Sequence, residues 1–347
     1  MTAPARHQAP RQSPGRVADT GRLIWLGAVV AMGIVVAILS LMIGTRDVPV
    51  ADVLAAIAGD ISTLDRAAVA TRIPRTILAV MAGAALGLAG AVMQGVTRNP
   101  LADPGILGIN IGASLAIVVG VAWFGMSSAL TFIWVAITGA AATAIFVYVI
   151  GSMGRGGATP LKLALSGTAT SIAFSSLVIA VVLPRADIAG GIRSWQIGGV
   201  GGATFERMEP VYAFLLIGFI LCLLSARRLN ALALGDELAA GLGERIALAR
   251  GLATLGAVML CGATTAVCGP ISFVGLVVPH ACRLLVGVDH RWLLPFSALG
   301  GAILLTTSDI LGRLAARPSE LEVGVVTALI GAPFFIFIVR RQKVRDL

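Results

Sequence analysis

Ten apolar runs separated by short polar segments govern what this chain can fold into. They cover residues 23–44, 76–96, 106–124, 129–150, 163–183, 211–226, 246–267, 271–286, 293–311 and 323–339. Most approach the ~20 residues that a helix needs to cross the hydrocarbon of a bilayer. In that medium a segment satisfies its backbone only as a helix or within a closed barrel. No stretch alternates with the period of two that a barrel strand requires. The reading is therefore an all-α polytopic membrane protein with about ten transmembrane helices. Charge agrees, since Asp, Glu, Lys and Arg make up only 12% of the 347 residues, against about 25% in soluble domains.

The basic residues set the orientation, because Lys and Arg collect in cytoplasmic loops. Arg6, Arg11, Arg16 and Arg22 precede the first run, and Arg340, Arg341, Lys343 and Arg345 follow the last. An even number of spans puts both termini on one side, which is then the cytoplasm. Arg98, Arg155, Lys162, Arg227, Arg228, Arg245, Arg283 and Arg291 all fall in inner segments. Outer Arg46 and Arg66 sit among Asp47, Asp52, Asp60 and Asp65. The formal charge of +9 is thus spread by topology, with no basic stripe and interleaved aromatics for nucleic acid. Residues 1–21, rich in Pro, Arg, Gln and Ala, are expected to form a disordered cytoplasmic tail. Residues 22–347 form the transmembrane domain, whose first run is too long for a signal-peptide core. Small residues at helical spacing (Gly83, Gly87, Ala91 and Gly95; Gly112, Ala116 and Gly120) predict close helix packing.

Chemistry-bearing motifs are scarce. The cluster from Gly151 to Gly157 lacks the Lys and Ser/Thr of a phosphate-binding loop. His7, His280 and His290 are isolated, and there is no HExxH. Cys222, Cys261, Cys268 and Cys282 lie in or beside apolar runs without a CxxC pair and read as small apolar fillers. No catalytic residue, metal ligand or bound cofactor is assigned. Asp309 and Arg250 fall near run ends, which leaves the spans without the acids that ion-coupled carriers use. An ion-coupled secondary transporter would need such acids, and a membrane-embedded enzyme would need convergent His, Asp or Glu. Energy is expected to come from a partner.

Three groups of residues remain as candidates. In the fifth run, Ser166, Thr170, Ser171 and Ser175, with Thr168 and Ser176 beside them, put hydroxyls on adjacent faces of one helix. They read either as a polar lining or as side chains bonded back to the carbonyl one turn earlier. In the inner segment 230–245, Leu232, Leu234, Leu238 and Leu242 form an apolar face, while Asp236, Glu237, Glu244 and Arg245 stay wet. Gly235 and Gly243 punctuate it, which suits either docking onto a partner or lying on lipid. On the outer side, Arg72 and Arg75 flank Pro74, and Arg313 follows the ninth run. A proline-stiffened turn at a helix start would present fixed cations against the helix dipole, for acidic groups or lipid headgroups.

In this order the residues resemble the FecCD family, the iron-siderophore/cobalamin permeases of ABC importers. The matching strings are Arg72-Ile-Pro-Arg75, the stretch from Gly83 to Gln94, and Arg98-Asn-Pro-Leu-Ala-Asp-Pro-Gly105. Leu232-Ala-Leu-Gly235 with Leu242-Gly243, the stretch from Gly269 to His280, Asp289-His-Arg291 and the stretch from Gly324 to Pro333 complete the series. Residues 97–112 and 286–292 are most similar to ferric-catecholate permeases.

The resemblance implies a permease of the bacterial cytoplasmic membrane that pairs with itself or a sister chain around a central path. Two ATPase subunits, holding ATP and Mg, would bind the inner face, and a siderophore-binding protein would dock outside. The cargo would be ferric siderophore, with cobalamin or haem as alternatives. Arg72, Arg75 and Arg313 match positions that meet glutamates of the binding protein. Asn99 and Leu101, with Thr159 opposite, match the inner gate, although Pro160 departs from the pattern. Leu234, Gly235, Glu237, Leu238, Leu242 and Gly243 fall in the family's coupling helices. Arg317 and Glu322 also depart and are candidates for tuning specificity toward the binding protein.

Overall fold

The computed structural model of the chain describes residues 19–105, 107–154 and 159–341. Nearly all of the expected tail, Arg155, Lys343 and Arg345 lie outside the described residues. The helices are α1 (Asp19–Met42), α2 (Val50–Ile57), α3 (Leu64–Thr97), α4 (Ile109–Phe124), α5 (Ala129–Ser152), α6 (Pro160–Val182) and α7 (Ala186–Ile197). They continue as α8 (Phe205–Leu224), α9 (Ala226–Leu232), α10 (Asp236–Gly241), α11 (Ile246–Cys268), α12 (Val274–Val286), α13 (His290–Ala315) and α14 (Val323–Arg341). Among the described residues, seven helices are long and apolar enough to cross a membrane, and α4, α12 and α14 are shorter apolar helices. Each of these ten matches one apolar run. The four remaining helices lie between spans: α2 and α7 outside, α9 and α10 inside.

Two spans start earlier than hydropathy indicates. α3 begins at Leu64, where the Thr63 side chain caps the helix by accepting from Arg66 N at 3.3 Å. α8 begins at Phe205 behind Thr204, which caps Arg207 N in the same way. Pro74 and Pro210 therefore lie inside helices and not at their starts. Transmembrane helices tolerate such prolines because neighbouring groups meet the freed carbonyls.

α3 runs through the centre of the bundle with 78% of its apolar window buried, whereas α1 lies at the periphery with 11%. Glycines allow the central contacts. A Cβ at Gly83 would meet the Gly301 carbonyl of α13, one at Gly87 the Ser297 carbonyl, and one at Gly90 the Gly275 backbone of α12. The second small-residue stripe works likewise, with Gly112 against Thr143 and Gly139 of α5. Without a hydrophobic force between helices in lipid, this backbone proximity is the main source of packing energy.

α12 covers about two-thirds of a span, 13 residues or roughly 20 Å at 1.5 Å per residue. The chain before it, from Gly269 to Phe273, is irregular, and Gly199 N donates to Cys268 O at 2.8 Å where α11 ends. Buried amides hold the irregular region. Pro279 removes the donor that would serve Gly275 O, and Gln94 Nε2 of α3 supplies one at 3.1 Å. Asn110 Nδ2 of α4 donates to Ile271 O at 3.3 Å. Non-helical backbone at membrane depth is tolerated only when buried in protein in this way.

Candidate functional site

On the outer side, the structure corrects the expected display of cations. Arg72 and Arg313 are buried, and Arg313 is 1% exposed. Arg313 donates to Ser40 O at 2.8 Å, Ile43 O at 2.7 Å and Ser40 Oγ at 2.7 Å, and pairs with Asp309 at 3.0 Å. Arg72 donates to the carbonyls of Leu41, Met42 and Arg46. Arg75 clasps Asp309 at 2.7 Å and Glu320 at 2.6 Å. The last turn of α1 and the segment after it leave carbonyls beyond the helix ladder, and the guanidiniums meet them. The three arginines thus brace α1, α3 and α13 against one another.

The exposed outer cations are others. Arg46 pairs with Asp65 at 3.2 Å, and Arg317 with Asp47 at 2.6 Å. A cleft of about 260 Å³ is lined among others by Ser194, Trp195, Arg207 and Glu322. Burial pushes the Glu322 carboxyl above its usual range, against the opposing pull of Arg75.

In α6 the hydroxyls divide by face. Thr170 is buried and donates back to Ser166 O at 2.7 Å. Ser171 faces Gly108 at the start of α4 and is half-buried, as are Ser166 and Ser175. The exposed pair is Thr168 and Ser176, which donate back to Ala164 O and Ile172 O. They share a stripe with Leu165 and Ile172 that is 62% and 65% exposed. Of the residues expected to line a path, Thr170 is thus turned into the bundle. The uncovered face carries Thr168 and Ser176.

At the inner end, the chain after α3 folds into a tight loop. Arg98 takes the left-handed conformation at φ 52°, and Asn99 Oδ1 accepts from Leu101 N at 3.0 Å. Thr159 caps α6 by accepting from Lys162 N at 3.3 Å, and Pro160 occupies the first turn, a position where its missing N–H costs nothing. The hydrogen bonds of Asn99 and Thr159 are therefore each local to their own turn. A cavity of about 960 Å³ opens here, lined among others by Met93, Arg98, Val147, Asp236 and Arg250.

The inner segment is two short helices joined by glycine. Leu232 is fully buried, so the expected four-leucine face is broken. Leu234, Leu238 and Leu242 remain uncovered at 57%, 62% and 69% exposure, with Glu237 exposed among them. Gly235 and Gly243 hold φ of +109° and +83°, conformations open to glycine. Asn230 anchors the segment to α13, donating to Asp289 Oδ1 at 2.6 Å and accepting from His290 N at 2.9 Å. Burial works to raise the Asp289 carboxyl, but the Asn230 and Arg291 donors outweigh it and leave it below the ordinary value.

Ten apolar helices, irregular backbone buried among them, an uncovered helix face and an uncovered inner apolar patch define a polytopic membrane bundle. The chain belongs to the FecCD transport family, whose model matches residues 32–341. It is 43% identical over 329 residues to the ferric enterobactin transport system permease protein FepD of Escherichia coli, covering 94% of this chain and 98% of that one. It is 40% identical to the hemin transport system permease protein HmuU of Yersinia pestis, with 78% and 82% covered. Among solved structures it is similar to an inward-facing conformation of a putative metal-chelate type ABC transporter, with TM-score 0.77, 28% identity and coverage of 92% and 99%. The protein is a permease subunit of an ABC importer, and it resides in the cytoplasmic membrane.

Proposed function

We propose that the chain moves ferric siderophore inward, fed by an extracytoplasmic binding protein and driven by a separate ATPase. The observation that carries this is the uncovered patch of Leu234, Leu238 and Leu242 on the cytoplasmic side of a chain that has no phosphate loop. Two ATPase subunits, holding ATP and Mg, seat on segment 230–245. A second permease, either the same chain or a sister, covers the α6 face, and the path runs between the two. Residues 22–347 form the permease domain and 1–21 a cytoplasmic tail, and the chain binds no cofactor of its own.

Asn99, Leu101 and Thr159 form the inner gate in this reading. The binding protein meets the rim that carries Arg46 and Arg317. Arg72, Arg75 and Arg313 support that rim from beneath.

Siderophore as cargo is favoured by the near end-to-end similarity to a ferric enterobactin permease. Haem is the second reading, on the similarity to a hemin permease. Reconstituted permease, ATPase and binding protein should import ferric catecholate and leave haem outside. Import of haem alone would reverse the assignment. Import without ATP, driven by an ion gradient, would replace it with a secondary carrier.

A further inference from the structure

The residues that tie the inner segment to the rest of the chain differ from those it exposes. α10 is six residues long and lies between Gly235 and Gly243, both at positive φ. Its inward attachments are the buried Ala239 and the side chain of Asp236. The Asp236 carboxylate accepts from Arg250 Nη2 of α11 at 2.9 and 3.2 Å. It also pairs with Arg98, the left-handed residue that ends α3 and opens the loop holding Asn99 and Leu101. One carboxylate thus joins the short helix, the end of the central span and the start of α11. The neighbouring pair, Arg228 with Glu244 at 3.6 Å, stays within the inner segment and its flank.

We propose that Asp236 is a positioning residue that transmits movement of α10 to the loop 98–105. This rests on reading 230–245 as the ATPase seat and Asn99–Leu101 as the gate. The geometry suits a bond that is remade in each cycle. Arg98 and Asp236 are 35% and 45% exposed, so water and salt soften the pair and its rupture is affordable. Arg250 stays on the carboxylate when Arg98 leaves, so no charge is stranded. Arg98 moves the loop directly, because the Asn99–Leu101 turn begins at the next residue.

The test compares wild type, Asp236→Asn, Arg98→Gln, their double variant and Asp236→Glu, each reconstituted with the ATPase and binding protein. The readouts are ATPase co-purification, ATP hydrolysed and ferric siderophore imported. Asp236→Asn and Arg98→Gln should both retain the ATPase, while ATP consumed per substrate rises about five- to ten-fold. The double variant should be no worse than the worse single one, and Asp236→Glu should lie within about two-fold of wild type. Wild-type ratios in both single variants would overturn the link. Loss of ATPase binding in Asp236→Asn alone would overturn it too, since Asp236 would then be a docking contact. Failure of wild type to bind the ATPase would defeat the docking reading itself, and is distinguished by needing no substitution.

Discussion

Asp309 is the side chain on which the outer ends of three helices depend. It is 1% exposed and faces Arg75 and Arg313 at once. Removing one partner of a buried pair leaves an uncompensated charge, at a cost of about 3–5 kcal/mol. Asp309→Asn should therefore lower thermal stability in detergent, and Arg313→Glu should yield little folded, monodisperse protein. If Arg313→Glu kept the wild-type melting temperature and lost only affinity for the binding protein, outward-facing docking by this arginine would be restored. Gln94 has a comparable task inside the bundle. Gln94→Leu leaves Gly275 O without a donor, because Pro279 cannot supply one. The expected loss is about 1–3 kcal/mol, read as a lower melting temperature.

At the scale of the element, span count and order were legible because each span carries its own continuous run of apolar residues. Small-residue stripes were legible for a similar reason, as spacing alone puts Gly83 and Gly87 on one face. What hydropathy misses is helix too short or too polar to read as a span. α2, α7 and the first turns of α3 and α8 lie beyond the hydrocarbon, where apolar length says nothing and the capping threonines Thr63 and Thr204 hold the signal. Arginine burial was illegible for another reason. The carbonyls that Arg72 and Arg313 satisfy belong to the end of α1, far away in sequence. The facing of α6 needed its neighbours as well, since Ser, Thr and small residues occur all round it. Cysteine placement tests that face. With native cysteines replaced, cysteines at Thr168 and Ser176 should react with small charged thiol reagents, and one at Thr170 should not. Reaction only with membrane-permeant reagents at Thr168 and Ser176 would make the face lipid-facing and move the path elsewhere.

At the scale of the molecule, the proposed function requires work done outside this chain to reach a gate within it. The inner surface presents Leu234, Leu238 and Leu242 beside the left-handed Gly235, held to α13 through Asn230 and to the end of α3 through Asp236. A patch of exposed leucine next to polar links that reach two spans suits a partner that pushes. Lipid would be satisfied by the leucines alone. Leu238 is 62% exposed, so Leu238→Asp costs the isolated permease little, yet in a partner interface it buries a charge with no counterion. The expected outcome is unchanged melting temperature, loss of ATPase co-purification and loss of ATP-driven import, with binding-protein docking intact. Gly235→Val acts differently, because a β-branched residue at φ +109° carries about 1–3 kcal/mol of strain and redirects α10. It should weaken both ATPase seating and import. Full import by Leu238→Asp would place the ATPase contact elsewhere and leave the three leucines on the lipid surface.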